Sequence, residues 1–366
     1  MSDSPPFRAE HVGSLLRPAS LLVARREREA GTLSEEELEQ AEDRAILDAI
    51  ALQEELGLRS ITDGEFRRRT YFAHFAAAVD GFTLMVANLT FADATDPKME
   101  YRTDVVNGRL KRARGIATRE YSFVAAHTAH TPKVTLPSPS GMHHFRFREG
   151  VSDVAYPDIE EFFDDLARVY REELRELASL GATYVQLDDV AFPFLCDPVR
   201  RAEAQTRGYE PDWLIDRYVQ LTNDALADRP AGMTIAMHLC RGNNQGKWVS
   251  EGGYEYVAAK VFPGVNVDVF FLEYDSERAG GFEPLRHVSA DKHVVLGLIS
   301  SKTPDMESRE DVLHRIEEAS RYMPMERLEL SPQCGFASVE EGNPVTPEDQ
   351  RRKLELVVDI AGTAWQ

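Results

Sequence analysis

Cysteine is scarce in this chain: three residues in 366, at positions 196, 240 and 334. An odd number so widely spaced is not a disulfide framework, and it points to a reducing, cytoplasmic compartment. Positive charge is also short. Lys and Arg total 42 against 62 Asp and Glu, a formal net charge of −20, which excludes a partner held through a phosphate backbone, such as nucleic acid. No apolar run approaches the roughly 18 residues of a membrane span. The N-terminal MSDSPPFRAE has neither the basic start nor the apolar stretch of a signal peptide. Nor does a glycine-rich phosphate turn follow the first β-like run, where HVGSLLRP stands, so a dinucleotide-binding doubly wound sheet is disfavoured.

What remains is an alternation of β-like runs with amphipathic helical patterns. Helices are expected over 34–57, 159–181, 211–227, 309–323 and 346–362. The first has a capping box from Ser34 and Glu37, and the last has Thr346 as N-cap with Pro347 in the first turn. Eight β-runs lie between them, roughly 8–14, 60–63, 133–137, 183–189, 233–240, 267–274, 293–299 and 327–334. Eight strands, most followed by helices, predict an α/β TIM (β/α)8 barrel, one catalytic domain over 1–366. Residues 81–131 are too long and too β-like for a barrel loop, and are read as an antiparallel, β-rich insertion between strands two and three. A lid or a homodimer contact are its two expected uses.

Three of those strands end in groups that bind soft metals. On a strand, residues i and i+2 share a face, so His238 and Cys240 in MHLC point the same way at the end of strand five. Glu273 ends strand six and Cys334 ends strand eight. In a barrel, all four would meet at the catalytic rim. One imidazole, two thiolates and a carboxylate suit Zn²⁺ rather than magnesium or calcium. Such a set leaves the metal electron-rich, a poor generator of hydroxide and a good holder of a thiolate. The expected chemistry is alkyl transfer to a thiol. Cys196 is read as a small buried apolar residue.

The segments HVGSLLRP, ITDGEF, VQLDD, MHLC, FFLEYDSE and SPQCGF, in that order from residue 11 to residue 336, resemble the catalytic C-terminal domain of cobalamin-independent methionine synthase. The resemblance implies a TIM barrel, the zinc ligands His238, Cys240, Glu273 and Cys334, and a homocysteine pocket formed by Ser14, Glu65 and Asp188. It implies a zinc-dependent S-methyltransferase of methionine biosynthesis whose partners are a small-molecule thiol and a methyl donor. Arg17 and Arg241 flank the site strands, and either could meet a substrate carboxylate or phosphate.

Two departures bear on the donor. The third strand runs into LPSPSGMHHFR without the tryptophan that the family places there, and LGLISSKTPD carries Ser300 and Ser301 where the family has a catalytic histidine. Serine is a poor general acid, so the donor is either of the methylcobalamin kind, which leaves without a proton, or of the 5-methyltetrahydrofolate kind with a proton from elsewhere, with His143, His144 and His293 as the alternatives. No catalytic residue is expected beyond the zinc site. The competing readings are a thiol-binding homologue without catalysis and a metal-free barrel like uroporphyrinogen decarboxylase.

Overall fold

Strand polarity decides where side chains of this chain can meet. A computed structural model describes residues 4–87 and 101–365. Its strands are β1 (Ser60–Ile61), β2 (Val79–Ala87), β3 (Tyr101–Arg112), β4 (Thr131–Pro132), β5 (Val134–Pro137), β6 (Tyr184–Asp189), β7 (Thr234–Leu239), β8 (Val269–Glu273), β9 (His293–Ile299) and β10 (Leu328–Pro332). Strands β5 to β10 form one parallel sheet in sequence order, and β1 pairs in parallel with β4. Parallel neighbours joined through helices run the same way, so all their carboxyl ends lie at one edge.

The sheet is buried on both sides, and the two sides differ. Val185, Leu187, Ile235, Met237, Leu239, Phe270, Leu272, Val294 and Leu296 pack outward into the main core with the helices. The alternate residues Tyr184, Ala236, Val269, Phe271 and Val295 form a separate inner cluster with Val12. Period-two alternation therefore assigns His238 to the inner face with Ala236, and Glu273 to it with Phe271.

The helices follow their sequence signals closely. The Glu35–Glu55 helix is capped by Ser34 and Glu37 as a capping box, and the Pro347–Ala364 helix by Thr346 and Asp349. The other three expected helices lie at Ile159–Ser179, Pro211–Ala225 and Arg309–Ala319.

Two expectations change. Residues 8–14 do not form a regular strand; a single parallel bridge joins Ala9 to Leu330, with Glu10 N donating to Leu330 O and Leu330 N to Arg8 O at 2.9 and 3.0 Å. On the other side, contact with β1 runs through side chains, His11 Nε2 donating to Ser60 O at 3.1 Å and Thr62 Oγ1 to Gly13 O at 2.7 Å. The continuous ladder thus covers six strands. Within the expected insertion, β2 and β3 pair antiparallel, residues 88–100 lie outside the described residues, and Thr118–His127 is a helix rather than a strand. Glu120, Tyr121 and Val124 are its buried face, a helical spacing that the run of β-formers disguised. Its start is fixed by Glu173, which accepts from the N–H groups of Ile116 and Ala117 at 2.9 and 2.8 Å.

A buried ion pair ties the irregular N-terminal segment to the sheet. Lys133 Nζ lies 3.2 Å from Glu10 Oε2, both side chains having no exposed surface. Glu10 also accepts from Ser60 Oγ, Tyr184 OH and Phe7 N at 2.6, 3.1 and 3.1 Å. Lys133→Met leaves that carboxylate charged and unpaired, and is expected to cost about 3–5 kcal/mol. The midpoint of urea unfolding reads this directly, and a shift worth less than about 1 kcal/mol would show that Glu10 is already satisfied without the lysine.

Candidate metal centre and substrate cavity

Four soft or anionic side chains converge at the carboxyl edge. His238 is paired in register with Asp188 on one side and Phe271 on the other. Cys240 follows β7, with its N–H donating to Asp189 O at 2.7 Å. Glu273 ends β8, and Cys334 lies just beyond β10. One potential ligand atom from each of His238, Cys240, Glu273 and Cys334 falls within a group no more than 4.8 Å across, and all four residues are buried. The two sulfurs are 3.6 Å apart. Gly297 permits this convergence: a Cβ there would stand 2.7 Å from Gln333 Cα and 2.9 Å from Leu272 O, so any side chain would push β8 and the Cys334 loop apart.

These residues fit a metal ion by their own unsatisfied chemistry. Among the described residues, neither ring nitrogen of His238 has a hydrogen-bond partner, and Glu273 Oε2 has none either. Orphaned buried polar atoms of this kind are costly unless something else satisfies them. Glu273 Oε1 is held by the Arg241 N–H at 2.8 Å, and Arg278 stands 3.7 Å from Oε2, so the carboxylate is oriented from behind as ligating carboxylates are.

The local charges are strongly interdependent. Contact with Cys240 holds the Cys334 thiol well below its ordinary range, against the effect of burial. Cys240 is pushed well up by Cys334 and by burial. Burial works to lower His238, but the adjacent Cys334 sulfur, Asp188 and Glu273 outweigh it and raise the imidazole. Burial raises Glu273, opposed chiefly by Lys302.

Three of these residues, His238, Cys240 and Cys334, line a cleft that is also lined by Ser14, Glu65 and Asp188. All three sequence-derived pocket residues are therefore brought together with His238, Cys240 and Cys334. Glu65 adopts a left-handed backbone, φ 61°, next to Gly64 at φ 67°. A non-glycine residue in this region is strained, and the surroundings must hold it. Thr135 Oγ1 donates to Glu65 Oε1 at 2.8 Å, and Arg68 lies 3.5 Å from the same oxygen. Glu65 Oε2 has no hydrogen-bond partner among the described residues. Burial raises the Glu65 carboxyl. Asp188 is pushed up to about 7, by burial first and by Glu65 second, although Gln186 Nε2 donates to it at 2.7 Å.

Arg17 and Arg241 do not face this cavity. Arg17 donates to four backbone carbonyls, those of Ala337, Val339, Glu65 and Arg68, at 2.8–3.2 Å. It is the clamp that holds the Glu65 turn. Arg241 is fully buried, donating to Gly252 O, to Tyr254 OH and to Glu273 O. Their guanidinium groups are committed to loop carbonyls because those loops turn sharply beneath the site and leave carbonyls unpaired. Ser301 Oγ is engaged by Gln333 and Gly335 O. His143 and His144 are packed among aromatic rings and lowered to about 3 by burial. His293 pairs with Glu329 at the start of β9, the opposite edge of the sheet. Cys196 is buried in the main core as expected.

Sequence reading missed Lys302, whose Nζ donates to Gly242 O at 3.0 Å and whose charge lowers both site cysteines and Glu273. It also missed the apolar wall, which includes Tyr71, Phe145 and Phe194. Neither carries a motif: both come from loops that only the fold brings over the strand ends.

Residues 7–363 match the family model described as cobalamin-independent synthase, catalytic domain. The Bacillus subtilis protein YxjH is 40% identical over 365 residues, 99% of this chain and 95% of that protein. Methionine synthase of Pyrococcus abyssi is 27% identical over 332 residues, covering 89% and 85% of the two chains. Among solved structures, a candidate vitamin-B12-independent methionine synthase from Listeria monocytogenes superposes with a TM-score of 0.79 at 32% identity, over 100% of both chains.

The raised Asp188 has a consequence for stability. A carboxyl whose folded value lies at about 7 rather than 3.8 favours the folded state below its unfolded value, and that contribution is lost as pH rises through about 7. Asp188→Asn is therefore expected to stabilise the protein at pH 8 by about 1–3 kcal/mol and to have little effect at pH 4. Thermal melts of both forms at the two pH values provide the comparison; equal effects at both would mean that Asp188 ionises without penalty.

Proposed function

This chain belongs to the cobalamin-independent synthase catalytic-domain family, and we propose that it is a zinc-dependent methyltransferase acting on a thiol, homocysteine, to give methionine. The observation that carries the reading is the buried meeting of His238, Cys240, Glu273 and Cys334 on the wall of a cavity that also holds Glu65 and Asp188. We read residues 8–14, the β1–β4 pair and β5–β10 together as the eight positions of a TIM barrel, with the β2–β3 hairpin as its insertion.

The four residues would hold zinc through imidazole nitrogen, two sulfurs and carboxylate oxygen. Two thiolates and a carboxylate against a divalent cation leave one net negative charge, which is unsuited to activating water. Bound there, zinc supplies the pull that lowers a thiol's pKa and keeps its sulfur nucleophilic at neutral pH. The chain's own groups do the rest. Glu65 and Asp188 flank the place for the substrate ammonium, and the Ser14 hydroxyl receives its carboxylate. The apolar wall of Tyr71, Phe145, Val190, Phe194 and Val249 excludes water, which strengthens these contacts. An ammonium entering between two raised carboxyls would draw both into the ionised form.

Reduced, purified protein is expected to hold about one zinc per chain. Cys240→Ser and Cys334→Ser should each lose the metal together with methyl transfer to homocysteine. Metal analysis alongside a methionine assay is the test. Protein that methylates homocysteine with no metal bound would sink the proposal, and protein that binds zinc and homocysteine without turnover under any methyl donor would reduce it to a thiol-binding homologue.

A further inference from the structure

The backbone that carries Cys334 is gripped on both sides of the cysteine. Gly335 O accepts from Asn243 Nδ2 at 2.9 Å, from Ser301 Oγ at 3.0 Å and from Asn343 Nδ2 at 3.3 Å. Before the cysteine, Gln333 N donates to Ile299 O at 2.8 Å, and Gln333 Oε1 accepts from Ser301 N at 2.7 Å. Asn343 makes the most of these ties. Its Nδ2 also donates to Ser301 O at 2.8 Å, its Oδ1 accepts from Gly246 N at 3.0 Å, and its own N–H donates to Phe336 O at 2.9 Å. Gly246 fits only without a side chain, because a Cβ there would stand 3.0 Å from Pro344 Cδ and 3.1 Å from Lys302 O. Asn243, Ser301, Gln333 and Asn343 are all buried.

The Asn343 amide has one orientation here. Its nitrogen faces two carbonyls and its oxygen faces an N–H, and the reverse would set acceptor against acceptor. One side chain thereby joins the segments that follow β7, β9 and β10. Strands β8 and β9 lie between β7 and β10 in the sheet, so the ladder does not link the segments of Cys240 and Cys334 directly. Side chains must set their spacing. We propose that Asn343 is a positioning residue for the metal centre: acting through Gly246, Ser301 and Gly335, it holds the two cysteine segments at the separation that puts their sulfurs 3.6 Å apart. The inference rests on the reading above that His238, Cys240, Glu273 and Cys334 hold zinc.

The physical reason is preorganisation. Ligands that already stand at the required spacing bind a metal more tightly, because no loop has to be ordered when the metal arrives. Partners that orient ligands from outside are each worth about 10–100-fold in metal affinity. Asn343→Asp keeps the size of the side chain and the acceptor for Gly246 N, but turns an oxygen toward Ser301 O and Gly335 O, where two donor hydrogens now sit. Ser301→Ala is milder. It removes one donor to Gly335 O and leaves those of Asn243 and Asn343 in place.

The test uses the full chain, unmutated and as each variant. Zinc Kd is measured by chelator competition, the metal-free forms are melted in chelator, and the cobalt-loaded forms are followed by their visible and near-ultraviolet spectra. Asn343→Asp is expected to raise the zinc Kd about 10–100-fold and to weaken the thiolate-to-cobalt charge-transfer band. Ser301→Ala should raise the Kd about fivefold, the value of one hydrogen bond. A purely structural asparagine gives a different pattern: the metal-free Asn343→Asp protein melts lower, while its zinc Kd stays within about twofold and its cobalt spectrum is unchanged. That pattern overturns the proposal. Should Asn343→Asp not fold, Ser301→Ala decides alone, and a Kd within about twofold of the unmutated chain overturns it. An unmutated chain that binds no zinc sinks the function reading and this inference together, whereas failure of the inference alone leaves zinc binding and homocysteine methylation intact.

Discussion

Buried negative charge at the carboxyl edge of the parallel sheet is the constraint around which the rest of this structure is organised. Asp188, Glu273, Cys240 and Cys334 are buried close together, and Glu65 lines the same cleft as Asp188, Cys240 and Cys334. Left alone, such a group would not remain ionised, because isolated charges in a poor dielectric neutralise themselves. Burial raises the Asp188 and Glu65 carboxyls for this reason. A cation bound among them would relieve that penalty.

The architecture around this edge concentrates on holding those groups rather than on contacting substrate. Arg17 and Arg241 spend their donors on loop carbonyls, fixing the left-handed Glu65 turn and the backbone that orients Glu273. Lys302 brings a positive charge to the loop after β7. Gly297 lets three strands close together. Each of these sets the position or ionisation of a group in or beside the four-residue cluster. The stability given up at Asp188 and Glu65 is of the kind proteins concentrate at functional sites.

Much of this was legible before any coordinates. Helix ends at Ser34 and Thr346 carried local capping chemistry, and local rules found them. The meeting of His238 and Cys240 was legible because strand alternation is strict: once they share a face, that face must be inner or outer for both. Arg17 and Arg241 were misjudged because charge and proximity to a site strand do not say which way a long side chain turns. The Thr118–His127 helix was hidden because its apolar residues are β-formers, and their helical spacing is set by packing against the long helix that carries Glu173. Residues 8–14 read as a strand, yet their side chains rather than a regular ladder make most of their contacts with β1.

What the sequence by itself determined was the list of chemically distinctive groups, their faces on each strand and the order of strands, because residue type and period-two alternation are local properties. Only the tertiary structure decided which of those groups share a volume. Convergence of Cys334 on Cys240 depends on strand ends drawn together at Gly297. The tie at Gly335 depends on Asn243, Ser301 and Asn343 arriving from segments that follow three different strands. Such meetings arise from packing between segments far apart in the chain, and no local pattern encodes the distance between them.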